Sequence, residues 1–135
     1  MTNAIIELKS LQKYYGEDDT RTQVLSDVSL RINAGDFVSI SGPSGCGKST
    51  LLSILGLLDR PTSGDYSLAG VDTNTLSEDD LARVRNRHIG FVFQSFNLIE
   101  EMDVFENVAL PLRFRPDGTP EAEVRDAVAK AIELV

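Results

Sequence analysis

A nine-residue glycine-rich segment has residue types and spacing suited to binding a polyphosphate. It comprises Gly42, Pro43, Ser44, Gly45, Cys46, Gly47, Lys48, Ser49 and Thr50. Glycines let the backbone curl until successive N–H groups point at phosphate oxygens, and a following helix presents its positively polarised N-terminus to the same anion. Lys48 adds a mobile cation that can reach the β- and γ-phosphates, and the Ser49 hydroxyl is a hard oxygen ligand suited to Mg²⁺. The segment therefore predicts a site for a nucleoside triphosphate, most simply Mg-ATP.

The spacing of this segment is more specific than a glycine-rich turn. Gly42, Gly47, Lys48 and Ser49 occupy the fixed positions of the pattern G-x-x-x-x-G-K-[ST]. The four positions should coincide by chance in about one chain of this length in a few hundred. A hydrophobic stretch at residues 37–41 precedes the segment and a leucine-rich helical stretch follows it, which is the context that a phosphate-binding loop requires.

Hydrophobic periodicity and turn signals predict the elements that position the loop. Strands are predicted around residues 6–8, 28–32, 37–41, 66–68 and 89–94, and helices over 48–58, from Ser77, within 96–112 and from Pro120. The last helix has Thr119 as its predicted cap. Its apolar stripe runs from Val124 to Val135 without a stop signal, so we expect the sequence to be part of a longer chain. An uncovered stripe of this kind also predicts poor solubility.

Composition narrows the classes of partner. The chain has 135 residues, a net charge of −8 and a sequence pI of about 4.5, so bulk electrostatics do not favour nucleic acid. A single cysteine, Cys46, excludes an internal disulfide, and we interpret it as a small side chain whose backbone N–H serves the loop. No signal peptide is visible, and the longest apolar stretch, residues 51–58, is too short to span a bilayer.

Three segments in order resemble the first half of the ATPase of ATP-binding-cassette (ABC) transporters. They are the phosphate segment with Leu51 and Leu52, the connector Leu-Asp-Arg-Pro-Thr-Ser-Gly-Asp at 58–65, and Ile-Gly-Phe-Val-Phe-Gln-Ser-Phe-Asn-Leu at 89–98. The last two, with Glu-Asn-Val-Ala-Leu-Pro-Leu at 106–112, resemble the lipoprotein-releasing and macrolide-export branch. The resemblance runs from about Ile5 to the end of the sequence.

The resemblance implies roles for matching residues. Lys48 and Gln94 match catalytic positions, and Gln94 would help Ser49 hold Mg²⁺ and would orient the attacking water. Tyr15 matches the aromatic residue that stacks on adenine, and Tyr14 takes that place if the alignment shifts by one. Residues 96–105, from Phe96 to Phe105, match the region that faces a transmembrane permease subunit. A second ATPase subunit would complete a homodimer.

Several motifs of the same family do not occur in these 135 residues. There is no Ser-Gly-Gly run for the signature, no hydrophobic strand ending in Asp-Glu after Gln94, and no switch histidine. His88 lies before the Gln94 segment, and Asp59 follows the phosphate-loop helix instead of a strand, so neither takes these roles. Phosphoryl transfer depends on positioned charges. We therefore expect this chain to bind ATP and to hydrolyse it very poorly by itself.

Together these features predict an α/β fold with two parts. Residues 1–95 would form a P-loop NTPase core, with a mixed sheet and the phosphate-loop helix, plus a small antiparallel β subdomain. Residues 96–135 would begin a helical subdomain. The predicted function is the ATP-binding subunit of an ABC transporter on the cytoplasmic face of the membrane, powering export or lipoprotein release. The alternative is a short ATP-binding module without turnover. A kinase would need a substrate lid and a GTPase a guanine-binding Asn-Lys-x-Asp motif, and neither is visible in the sequence.

Overall fold

The computed structural model describes residues 4–115 and 118–134. These residues form two compact units, one up to Ala82 and the other from Arg83 onward. The predicted boundary near residue 95, between a P-loop core and a helical subdomain, is a different division and stays a prediction.

The first unit is built on a four-stranded antiparallel sheet. Its strands are β1 (Ala4–Tyr15), β2 (Thr22–Asn33), β3 (Ser63–Leu68) and β4 (Val71–Asp72), in the order β2-β1-β3-β4. Period-two alternation predicted β1, β2 and β3, and all three are confirmed. The antiparallel β subdomain is therefore present, and β1 lies at its centre with partners on both sides.

A bulge interrupts the centre of β1. The pairing register between β1 and β3 shifts between Lys9 and Gln12, and Ser10 has a positive φ of 46°. Gly64 of β3 lies directly against the bulge with φ +91°, and a Cβ there would approach the Ser10 carbonyl oxygen to 2.5 Å. Glycine is the residue that fits both the conformation and the space.

Helix α1 (Lys48–Leu55) follows the phosphate segment and packs its buried Ile54 into the core of this unit. The other core side chains come from the sheet and the connector after α1, namely Leu8, Leu11, Leu25, Leu57, Tyr66 and Leu68. The Tyr66 hydroxyl donates to the Leu55 carbonyl at 2.8 Å, which ties β3 to the end of α1. Burial raises the pKa of Tyr66 far above its ordinary value, so its hydroxyl stays a donor.

Helix α1 ends three residues earlier than residue 58, the predicted end. Leu57 adopts φ +54°, its N–H bonds the Ile54 carbonyl at 2.9 Å, and the Leu58 N–H bonds the Ser53 carbonyl at 2.8 Å. This pair of bonds is a Schellman turn, here with leucine in the position that usually holds glycine. The chain leaves the helix at this point because burial of Leu57 offsets its unfavourable backbone conformation.

Two predicted strands are wrong. Residues 37–41 and 89–94 are not strands, and neither segment pairs with a strand among residues 4–115 and 118–134. Phe37 and Val92 are fully exposed. A strand exists only where a neighbour takes up its N–H and C=O groups, and alternation in the sequence does not supply that neighbour. The match to known folds described below still supports the α/β class.

Helix α2 (Glu78–His88) crosses from the first unit into the second. Its predicted start is confirmed, because Ser77 Oγ accepts from the Asp80 N–H at 3.2 Å and donates to the Asp80 carboxylate at 2.6 Å.

The second unit continues with α3 (Val104–Arg113) and α4 (Glu121–Glu133), which pack on each other through Ala109, Val124 and Val128. Asp103 and Glu106 form a reciprocal capping box at the start of α3.

The last helix corrects one prediction in detail. The Thr119 hydroxyl donates to the Leu112 carbonyl at 3.2 Å instead of capping α4, and Pro120 is the N-cap residue. Along the predicted stripe Val124 and Val128 are buried, whereas Ile132 is 43% exposed and Val135 lies outside the described residues. The sequence Arg-Pro-Asp-Gly at 115–118 predicts a turn, but Pro116 and Asp117 also lie outside the described residues. Within the described ranges, every helix falls short of the length and apolar character needed to cross a membrane.

Candidate functional site

The phosphate segment forms a tight loop before α1. Gly45 and Gly47 have φ values of +80° and +90°, which only glycine adopts readily. The Cys46 N–H bonds the Pro43 carbonyl at 3.4 Å, and a Cβ on Gly42 would lie 2.8 Å from Cys46 Sγ. The loop therefore curls back on itself, as the spacing of its glycines predicts.

The loop leads directly into an open helix N-terminus. Gly47 is the N-cap of α1 and brings no side-chain acceptor, so the first-turn amides from Lys48 onward keep their donors for a ligand. A Cβ on Gly47 would meet the Val24 carbonyl and Leu25 Cδ2 at 2.8 Å each. Gly47 thus also lets the start of α1 rest closely on β2, which is a packing reason for glycine at this position.

Lys48 lies over its own loop. Its Nζ donates to the carbonyls of Gly42 at 2.8 Å and Pro43 at 2.7 Å, and it lies 3.6 Å from Cys46 Sγ. The side chain of Ser49, next along the helix, is exposed. The ammonium and the first amides of the helix therefore lie close together, and a bound anion could replace the loop carbonyls as the acceptor for Lys48.

Tyr15 ends β1 in a cluster that the sequence did not reveal. Its hydroxyl donates to Asp59 Oδ2 at 2.8 Å, and Lys13 Nζ donates to Asp59 Oδ1 and to the Arg60 carbonyl, both at 2.7 Å. Lys13 Nζ also lies 4.8 Å from the centre of the Tyr15 ring. The Tyr15 side chain remains 45% exposed. The i, i+2 spacing of Lys13 and Tyr15 was the available signal, since such residues share a face of a strand.

The charge of Asp59 is set by these contacts. Burial by itself would raise the pKa of Asp59, but hydrogen bonds from Lys13, Tyr15 and the Arg60 amide, with the charge of Lys13, lower it below its ordinary value. Asp59 is therefore an anion at neutral pH and accepts all three donors.

Tyr14 lies in different surroundings. The guanidinium of Arg21 stacks 4.2 Å from the centre of its ring, its hydroxyl donates to Gln12 at 3.3 Å, and its N–H donates to Thr62 at 3.1 Å. Neighbouring residues of a strand point to opposite faces of the sheet. Tyr14 and Tyr15 therefore cannot both serve one ligand.

The phosphate loop and Tyr15 are linked through the sheet. Gly47 rests on Leu25, Leu25 pairs with Lys13 across β1 and β2, and Lys13 lies two residues before Tyr15. A cross-strand pair spans about 5 Å and two residues of a strand span about 7 Å. The start of α1 and the Tyr15 ring are thus on the order of 10 Å apart on the same support.

Gln94 belongs to the second unit, whereas the loop and Tyr15 belong to the first. Its side chain is exposed, and the residue lies at a bend that ends the segment predicted as a strand. In the described ranges, no group of three or more His, Cys, Asp or Glu side chains could hold a metal by itself.

The segment at 96–105 is organised by one asparagine. Asn107 accepts from the Ile99 N–H at 2.8 Å and donates to the carbonyls of Ile99, Met102 and Asp103 at 2.9 to 3.1 Å. Phe96 is 91% exposed and Leu98 is 64% exposed. An ordered loop that presents apolar side chains to solvent is suited to contact another protein.

The comparisons with known proteins agree with this geometry. The family model described as ABC transporter matches residues 25–135. The chain is 53% identical over 114 residues to the macrolide export ATP-binding/permease protein MacB of Bdellovibrio bacteriovorus, covering 84% of this chain and 18% of that protein. It is 49% identical over 133 residues to the pyoverdine export ATP-binding/permease protein PvdT of Pseudomonas putida, covering 98% and 20%.

A solved structure extends the comparison to the fold. The dimeric ATP-binding cassette MJ0796, in a post-hydrolysis state bound to ADP and Pi, matches with a TM-score of 0.85 and 43% identity, over 95% of this chain and 56% of that one. The chain thus spans about a fifth of the curated relatives and just over half of the solved cassette. Since the family model covers most of its residues, the chain belongs to the ABC transporter family.

Proposed function

We propose that this chain is the ATP-binding part of an export-type ABC transporter and binds Mg-ATP at residues 42–50. The observation that carries the proposal is the curled loop over an open helix N-terminus, with the Lys48 ammonium held at its centre. The backbone amides and the ammonium together offer the triphosphate tail more hydrogen-bond donors than either could alone.

The residues of the loop divide the work. The proposed donors to the phosphate oxygens are the backbone N–H groups of Gly42 and of residues 44–50, since Pro43 has no N–H. Lys48 is the proposed cation for the β- and γ-phosphates. Ser49 and Gln94 are the proposed protein ligands of Mg²⁺, and Gln94 orients the attacking water. The metal supplies charge neutralisation at the phosphates.

Tyr15 is the proposed platform for adenine. It is linked to the start of α1 through the paired residues Lys13 and Leu25, and 45% of its side chain is exposed. Tyr14 is covered by Arg21 and faces the other side of the sheet. Tyr15 is therefore the better candidate of the two.

The complete dimeric protein is proposed to hydrolyse ATP and to drive export or lipoprotein release through a transmembrane permease subunit. The apolar loop at 96–105 is the proposed contact with that permease, at the cytoplasmic face of the membrane. The names of MacB and PvdT, both export ATP-binding/permease proteins, support this role. These 135 residues contain no signature, Asp-Glu strand or switch histidine, so we expect them to turn over ATP very slowly.

Replacing Tyr15 with alanine should weaken Mg-ATP binding by about 5- to 150-fold, because base stacking on an aromatic ring contributes about 1–3 kcal/mol. Binding of Mg-tripolyphosphate, which has the phosphates without the base, should stay within about twofold. Isothermal titration calorimetry measures both. Tyr14→Ala is the matched control and should leave both affinities nearly unchanged. A larger loss in Tyr14→Ala than in Tyr15→Ala would reverse the assignment.

A further inference from the structure

We propose that Asp59 is a positioning residue that fixes the Tyr15 ring in the orientation that receives the nucleobase. This role rests on the proposed function, since it presupposes that Tyr15 is the platform for the base. Asp59 follows the phosphate-loop helix and lies outside the acidic motif of the family.

Both carboxylate oxygens of Asp59 accept hydrogen bonds within this cluster. Oδ2 accepts from the Tyr15 hydroxyl at 2.8 Å, and Oδ1 accepts from Lys13 Nζ and from the Arg60 N–H, both at 2.7 Å. The Lys13 side chain is 11% exposed and that of Asp59 is 31% exposed. A charge-assisted hydrogen bond that is partly shielded from solvent keeps its geometry better than one in water. The bond to the hydroxyl therefore restricts the swing of an otherwise exposed ring.

Lys13 decides which face of the ring remains open. Its ammonium lies 4.8 Å from the ring centre and is held there by Asp59 and the Arg60 carbonyl. A cation on one face leaves the opposite face as the surface for stacking. Asp59 thus orients the ring directly through the hydroxyl and indirectly through the cation beneath it.

The position of Asp59 in the chain gives this contact its significance. It follows α1 through the Schellman turn at Leu57, and its own N–H bonds the Ser53 carbonyl at 3.3 Å. The same helix begins at Lys48, beside the proposed phosphate cradle. Asp59 therefore connects the C-terminal end of the phosphate-loop helix to the base platform, so that the two halves of the nucleotide meet one rigid support.

A double-mutant cycle tests this role. Asp59→Ala and Tyr15→Phe are both measured by calorimetry with Mg-ATP and Mg-tripolyphosphate. Tyr15→Phe should raise the dissociation constant for ATP about fivefold, as expected for loss of one hydrogen bond, and Asp59→Ala by at least as much, because it also releases Lys13. The double variant should lose little more than Asp59→Ala alone, because that variant already removes the contact with the Tyr15 hydroxyl. Tripolyphosphate affinity should stay within about twofold in all three. Asp126→Ala, an exposed carboxylate paired with Lys130, is the control.

Each other outcome decides against a particular claim. Unchanged ATP affinity in Tyr15→Phe, additive losses in the double variant, or equal losses for both ligands in Asp59→Ala would overturn the positioning role. If Asp59→Ala does not fold, Tyr15→Phe alone still tests it, because the ring remains and only the tie to Asp59 is removed. Failure of the unaltered protein to bind either ligand would instead refute the proposed function itself, and this role with it.

Discussion

Replacing Lys48 with alanine should weaken Mg-ATP binding by about 100-fold. The ammonium donates to two loop carbonyls at 2.7 and 2.8 Å, and those donors would pass to phosphate oxygens in the complex. Each hydrogen bond to a charged partner contributes about 1.5–3 kcal/mol, so the loss of two corresponds to at least about 3 kcal/mol, which is a loss of about 100-fold or more.

The same titration separates this effect from that of the base platform. Lys48→Ala should weaken Mg-tripolyphosphate as much as Mg-ATP, whereas Tyr15→Ala should weaken ATP alone. Lys130→Ala is the matched control, because Lys130 is exposed and pairs with Asp126 at 2.9 Å. An affinity in Lys48→Ala equal to that of the unaltered protein would show that the cradle does not bind the triphosphate.

Replacing Gly64 with alanine should destabilise the first unit by more than about 3 kcal/mol. The new Cβ would approach the Ser10 carbonyl to 2.5 Å, Leu11 Cα to 2.6 Å and the Lys9 carbonyl to 2.7 Å. All three atoms belong to the backbone of the bulged central strand, so no side-chain rotation relieves the overlap. The φ of +91° adds strain of its own.

Gly70→Ala isolates the second of these causes. Gly70 has a similar φ of +81°, but a Cβ there would meet nothing within 4 Å, so we expect a cost of only about 1 kcal/mol. Urea unfolding followed by tyrosine fluorescence is a suitable measurement, because the chain has no tryptophan and all three of its tyrosines lie in the first unit. Similar losses in the two variants would mean that the contact with the bulge is unimportant.

The sequence predicted those features that are determined by residues within a single short segment. The fixed glycines and lysine of the phosphate loop predicted its curled geometry, because that geometry follows from local backbone freedom. Alternation predicted β1, β2 and β3, and Ser77 with Asp80 predicted the start of α2.

Features that depend on distant parts of the chain were not accessible in this way. The Asp59 cluster joins residues 44 to 47 positions apart, and no local pattern announces such a contact. The Schellman turn at Leu57 escaped because its leucine replaces the usual glycine and depends on burial. Thr119 likewise met the rule for a cap but found the Leu112 carbonyl instead.

The two wrong strands failed for a related reason. Residues 37–41 and 89–94 have the apolar alternation of strands, and that pattern records which side chains would be buried in a sheet. It carries no information about whether a neighbour is present to complete the ladder.

The exposed backbone at 37–41, which has no strand partner among the described residues, has a practical consequence. Proteases bind their substrates in extended form, and an exposed chain without ladder bonds enters such a cleft without prior unfolding. A protease that cuts after aromatic residues should therefore cleave early at Phe37, which is 99% exposed, and late at Tyr66, which is 1% exposed. Because Phe37 lies five residues before the phosphate loop, Mg-ATP should slow this first cut. Mass spectrometry of timed digests would reveal whether the order is reversed.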